Sequence, residues 1–337
     1  MTQPPSFNHL LVLPRLRVQN ANAVSSPLTH GFPAMTAFLG LMWALERKAR
    51  DAGIDRLDFN GVGVVSHGWQ EQTTEGGFIK AFKLTRNPVS ITEHRKLIDK
   101  EGRTETPAII EEGRIHLDIS LIFGVFAEDW DTAHRQSNLV AINDLVAGMR
   151  VAGGTVVPQD RPWLRRHQPW LVDLSGDEGA RQGEFRETCV RLLPGSALVA
   201  RDDLIHERLT ALQAEIPSAT RLDAWLSLSC IEWRHDGSAN GGKGGWNSSR
   251  KKGDGWVVPI PVGYGALSEL HPPGSVRNAR DAHTPFRFVE SLYSVGEWIG
   301  THRLRSPRQL LWYADNQPEQ GLYRCRNDYQ PPAGMPA

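Results

Sequence analysis

The chain lacks net charge: 38 Lys and Arg balance 38 Asp and Glu, so bulk electrostatics announces no polyanionic partner. Cysteine is scarce, with only Cys189, Cys230 and Cys325 in 337 residues, widely spaced and odd in number. A disulfide framework or a zinc site needs more thiols at closer spacing, so these read as reduced and mostly buried. Long apolar runs are missing. The longest, Ile119 to Ala127, falls far short of the ~20 residues that span a bilayer, which argues against a membrane protein. Met1 to Asn8 is polar and Pro-containing, with no basic segment ahead of an apolar one. No secretory leader is expected, and the protein reads as cytoplasmic. HExxH, GxSxG, CxxC and paired-carboxylate motifs are absent, so no catalytic centre, metal or cofactor is expected.

What is present is an ordinary globular composition, 40% hydrophobic and 23% charged, long enough for about two domains. Eleven tryptophans are many for this length, and several lie in irregular, Pro-rich contexts (Trp163, Trp170, Trp256), where such rings often anchor interfaces. The charges are unevenly placed. Residues 1–50 hold five basic side chains and one acidic, whereas residues 101–150 hold four basic and nine acidic. A neutral protein so divided suits RNA on one face and another protein on the other.

Leu10 to Gln19 alternates as a strand, with Arg15, Arg17 and Gln19 on its polar face. Pro14 cannot donate to a ladder and implies an edge or a bulge. A polar loop leads to Pro33 and an amphipathic helix with the stripe Met35, Phe38, Leu39, Met42, Leu45 and Ala49. Leu57–His67 and Gly76–Arg86 read as strands, and Arg114–Phe126 alternates most clearly of all. A second helix carries Leu139, Ile142, Leu145, Val146 and Met149, before a short strand at Thr155–Val157. The order is an α+β plan, the ferredoxin-like (RNA-recognition-motif-like) βαββαβ core with an inserted hairpin, over residues 1–158. Residues 159–337 read as a mixed helical and extended, thumb-like part. They contain helices after Asp202 or Asp203 and at Leu222–Leu228, a mobile basic loop at 236–255, an edge strand from Trp256, a helix opened by Thr284-Pro285, and a closing hairpin at Leu310–Tyr313 and Leu322–Cys325.

Gly237 to Lys243 matches the first seven positions of a phosphate-binding P-loop, but the eighth is Gly244 where Ser or Thr must reach magnesium. Gly61-Val-Gly63 and Gly263-Tyr-Gly265 lack the third glycine of a dinucleotide fingerprint. Single-stranded RNA needs amides and hydroxyls for base edges, and Arg for phosphates and stacking. Arg15 and Arg17, then Gln19, Asn20, Asn22, Ser25, Ser26, Thr29 and His30, supply one such set. Arg277, Asn278 and Arg280 after Pro272-Pro273-Gly274 supply another, and Arg86-Asn87 a third. His30 and His116 are the candidates for metal-independent RNA cleavage, though nothing in the sequence pairs either with a partner.

These segments also carry a resemblance. Leu13 to Pro33 resembles the N-terminal signature of the Csy-two family, the Cas-five-type backbone subunit of the type I-F CRISPR surveillance (Csy) complex. Further similar stretches are Leu84–Pro88, Glu111–Leu117, Met149–Gly154, Leu192–Val199, Val258–Tyr264, Pro273–Asp281 and Leu310–Tyr313. The resemblance implies a non-catalytic subunit that binds the 5′ handle of the guide crRNA in antiviral defence. It implies pairing with the large Csy subunit as a heterodimer, contact with the first Cas-seven-type subunit, and target DNA nearby through the assembled complex. Guide processing then belongs to a separate Cas-six-type enzyme. A repeat-processing ribonuclease and a protein-only scaffold are the alternatives.

Overall fold

The computed structural model describes residues 4–77, 79–86, 109–127, 134–236, 245–250 and 255–331. The first half runs β1 (His9–Asn22), β2 (Val24–Ser26), β3 (Thr29–His30), α1 (Met35–Asp51), β4 (Leu57–Glu71), β5 (Thr73–Gly76), β6 (Ile79–Phe82), β7 (Leu84–Arg86), β8 (Ile109–Glu111), β9 (Arg114–Ala127), α2 (Arg135–Ala147), β10 (Arg150–Val151) and β11 (Gly154–Val157). The second half runs β12 (Trp170–Asp173), α3 (Glu178–Arg191), β13 (Ser196–Ala200), α4 (Asp202–Glu215), α5 (Arg221–Ser229), β14 (Trp233–Asp236), β15 (Gly245–Ser248), β16 (Trp256–Ala266), β17 (Val289–Gly300), α6 (Pro307–Leu310), β18 (Trp312–Gln317) and β19 (Leu322–Asn327). The protein is thus of mixed α+β class. No helix among the described residues is long and apolar enough to cross a membrane.

One sheet of eleven strands carries the architecture, in the order β10-β11-β1-β9-β4-β13-β17-β16-β19-β18, with β12 also on β1. Within it β11, β1, β9 and β4 are joined by antiparallel pairs. One face packs on both helices, with Leu11, Leu13, Ile119 and Leu121 meeting Phe38, Leu39 and Leu45 of α1 and Ile142 of α2. The other face of β1 and β9, through Leu10, Val12 and Ile122, packs on Phe185 and Cys189 of α3. Burial on both faces explains why Leu10–Leu13 is a continuous apolar run before alternation begins.

Pro14 sits in a central strand, at a break in register between Leu13 and Leu16, so the bulge alternative holds and the edge one does not. Pro259 and Pro261 pair with β17 on one side, while β19 reaches β16 only at Gly263–Gly265. That is the edge geometry expected of them. The closing hairpin is β18 and β19.

Three readings need correction. The helix expected from Thr284 is strand β17, paired with β13 and β16. Its alternation is masked because Glu297, buried on the face shared with Val295 and Ile299, looks like a solvent residue in sequence. The third strand, Gly76–Arg86, is broken between two small hairpins, β5–β6 and β7–β8, outside the main sheet. The flanks of the basic 236–255 loop form the hairpin β14–β15; its residues 237–244, including the P-loop-like string, and 251–254 lie outside the described residues.

The sheet returns on itself where Trp312 of β18 pairs with Val62 of β4. The approach is possible because β4 has glycine at the crossing. A Cβ on Gly63 would stand 2.6 Å from Leu310 Cγ and 3.1 Å from the Leu310 carbonyl oxygen. Trp312, fully buried, then donates its indole N–H to the Leu198 carbonyl at 2.8 Å. Gly63→Ala is expected to destabilise the fold by about 1–3 kcal/mol through overpacking. In urea unfolding, Gly63→Ala with Leu310→Ala should cost at least about 0.5 kcal/mol less than the two single losses added. Strict additivity would show that the two positions do not meet.

Candidate nucleic-acid interface

The polar face of β1 is tied to its neighbours. At the Pro14 bulge Arg15 adopts φ 54°. Its backbone N–H donates to Ser120 Oγ at 3.0 Å, and its guanidinium to Asp118 at 3.3 Å. The fully buried Ser120 hydroxyl donates in turn to His67 Nε2 at 2.7 Å, because His67 Nδ1–H is committed to the Pro194 carbonyl at 2.7 Å. Burial, with the Arg15 charge adding to it, pushes the His67 imidazole below its ordinary pKa, against the Pro194 bond and Asp118. Arg17 pairs with Asp160 at 3.0 Å across a well-exposed surface, where such a pair holds loosely.

Gln19 is exposed beside Thr155 of β11. Asn20, at φ 56° in a second register break, donates its N–H to His116 Nδ1 at 3.1 Å. The Asn22 side chain bonds both the N–H and the C=O of Val24, closing the turn into β2. Ser25 and Ser26 both bond Thr29 Oγ1, at 2.8 and 2.7 Å, and Ser26 Oγ also accepts from the N–H groups of Leu28 and Thr29. What the sequence presents as a row of hydroxyls is therefore a self-bonded hairpin, with Ser26 and Thr29 buried. His30 projects from its end, exposed, with Nδ1 3.4 Å from Glu71 and its ring edge-on to Phe82.

The second set stands on a separate turn. Asn278 takes φ 60°, and Arg277 and Arg280 are exposed. Asp281 anchors the turn by accepting from the N–H groups of His283 and Thr284, which lowers its pKa. This segment leaves the sheet just after Tyr264 of β16 and is closed by a bond from Leu267 N–H to the Phe288 carbonyl. Arg86 is exposed on β7, and Asn87 lies outside the described residues.

Two concavities lie beside these elements. One is a groove of about 640 Å³ lined by Asn22, Ser25, Arg150, Tyr264, Tyr323 and the start of α1. The Tyr264 and Tyr323 rings are stacked, 6.4 Å apart and tilted by 24°. Helix α1 follows its N-cap Ala34 with no side-chain cap and no acidic residue in its first turn, and Pro33, Ala34, Thr36 and Ala37 put this positive dipole end beside the groove. The other is a cavity of about 490 Å³ whose lining includes His30, Glu71, Trp69 and Trp256. Pro33 and Ala34 border both. Arg150, the two tyrosines and Trp69 were not singled out in sequence, whereas Trp256 was, as an interface ring; Tyr264 carried a signal, an outward aromatic between two strand glycines.

The family described as CRISPR-associated protein (Cas_Csy2) matches residues 11–325. The chain belongs to that family. CRISPR-associated protein Csy2 of Pseudomonas aeruginosa (strain UCBPP-PA14) is 41% identical to it over 322 residues, covering 94% of each chain. The match runs from β1 into β19 and so takes in the groove and the cavity alike. Among the described residues no group of three or more His, Cys, Asp or Glu could hold a metal ion.

His67 gives the site a defined pH response. With its folded pKa below the unfolded value of 6.5, the unfolded chain binds the proton first, so stability is full above that value and falls as pH drops below it. His9, also depressed by burial, acts in the same direction. Urea midpoints followed from about pH 8 to about pH 5 should fall, and His67→Gln should make the fall shallower. An unchanged slope in that variant would remove His67 from the response.

Proposed function

We propose that this protein is a non-catalytic subunit of the type I-F CRISPR surveillance complex that binds the 5′ handle of the guide crRNA in the cytoplasm. It pairs with the large Csy subunit and abuts the first Cas-seven-type subunit, and target DNA comes near it through the assembled complex. The observation that carries the reading is the groove. It combines an uncapped helix start, the Arg150 cation and a stacked tyrosine pair. Phosphate suits the first two and bases suit the last. The β11-β1-β9-β4 order with two helices on one face supports a ferredoxin-like plan, on which RNA recognition is common. Exposed Trp163, Trp233 and Trp246 support a protein partner.

The arginines divide into two groups. Arg15 is partly buried and paired with Asp118, whereas Arg150 and Arg277 are exposed. Binding of handle RNA at rising salt should show Arg150→Ala and Arg277→Ala flattening the log–log slope by roughly 0.7 for each phosphate lost. Tyr264→Ala should weaken binding by about 1–3 kcal/mol at every salt concentration. Arg15→Ala should chiefly lower stability. Slopes untouched by either exposed arginine would refute phosphate binding at these positions.

The non-catalytic assignment is supported by the engagement of His116 Nδ1 with the Asn20 N–H. Purified protein incubated with repeat RNA in EDTA should leave it intact. Specific cleavage abolished by His30→Ala would instead establish the ribonuclease reading.

A further inference from the structure

The cavity next to the groove has no role in the function proposed above, yet it is built for a ligand of particular shape. Its volume, about 490 Å³, lies in the range of small-molecule sites. Its walls carry ring faces, with Trp298 packed edge-on to Phe32 at 4.8 Å and Pro259 and Pro261 in the lining, beside the polar Ser66, His67 and Ser196. Two rings at its border, Trp69 and Trp256, are more than half exposed, at 54% and 53%. Large rings left in water beside an apolar hollow expose surface that an occupant would cover. Of the polar residues in the lining the most telling is Glu71, whose side chain is only 19% exposed. A carboxylate accepts hydrogen bonds and donates none. Both His67 nitrogens are already engaged.

We infer that this cavity receives one unstacked nucleobase of the guide RNA, covered by Trp69 or Trp256, with Glu71 accepting from N–H donors on the base edge. The inference rests on the RNA-binding reading and adds a subsite to it. A nucleobase is flat and apolar on both faces and carries donors and acceptors around its edge, and the lining offers both kinds of surface. An apolar side chain of a partner protein would fill the walls but bring no second donor to the Glu71 carboxylate, which His30 Nδ1 meets at 3.4 Å through Oε1. Position favours RNA as well. Pro33 and Ala34 border both concavities, so a strand lying in the groove passes the cavity mouth and needs to turn out only one base.

The test uses the full-length chain and guide RNAs in which each handle nucleotide in turn is replaced by an abasic residue. One abasic position should weaken binding to the wild-type protein about tenfold. The same position should cost the Trp69→Ala protein little further, and Glu71→Gln should lose its preference for an amino-bearing base there. Trp69 is exposed on its strand, so its removal spares the core, and Glu71→Gln keeps the side-chain shape. If wild type and both variants bind handle RNA tightly and every abasic position behaves alike in all three, the cavity holds no base, and a protein partner becomes its occupant. If the wild-type chain binds no handle RNA, the RNA-binding reading fails and this inference falls with it.

Discussion

The close approach of Leu310–Trp312 to β4 governs the placement of everything else. β4 sits between β9 and β13, and through Val62 it also meets β18. The path β4-β13-β17-β16-β19-β18 therefore closes on itself. A side chain at Gly63 would collide with Leu310, and one at Gly61 would lie 3.2 Å from the Trp312 carbonyl. With that crossing closed, Leu198, Ile260, Val262 and Trp312 join the core built by α1 and β9. Trp298 can then reach Phe32 at the start of α1, and Tyr323 can reach the groove. The groove and cavity are thus made by two distant stretches of chain meeting around one helix start.

This constraint explains which features were readable in sequence. Gly61-Val-Gly63 failed as a nucleotide fingerprint because its glycines serve protein–protein contact, and the partner lies some 250 residues away. Elements that bury one regular face were legible: α1, α2 and the first half of β9 follow from periodicity alone. Elements with a polar group on the buried face were not. Glu297 is matched by Arg201, which Asp203 also holds, and that cluster is invisible until β13 and β17 are paired. Helix α3 was missed because only Phe185, Thr188 and Cys189 are buried along an otherwise solvated surface.

The candidate site shows the same division. Polar side chains were found in the right segment, but sequence could not separate those that build the hairpin from those that face outward. Ser25, Ser26 and Thr29 spend their hydroxyls on one another, and Asn22 spends its amide on Val24. Arg15 and Arg17 read as phosphate grips because Asp118 and Asp160 stand more than a hundred residues downstream. Residues of the second half that complete the groove, Tyr264 and Tyr323, belong to strands whose neighbours only the topology reveals.

On the proposed RNA-binding reading, neutralisation of the β1 arginines limits the kind of contact this surface makes. A protein without net charge cannot hold a flexible polyanion by a general positive field, and a cation already paired adds little to such a field. What remains is local: a helix start without a cap, a few exposed arginines and rings with accessible faces. Interactions of that kind act over one or two nucleotides and depend on the base being splayed from its neighbours. They favour a short segment of fixed shape over a long, uniformly gripped strand.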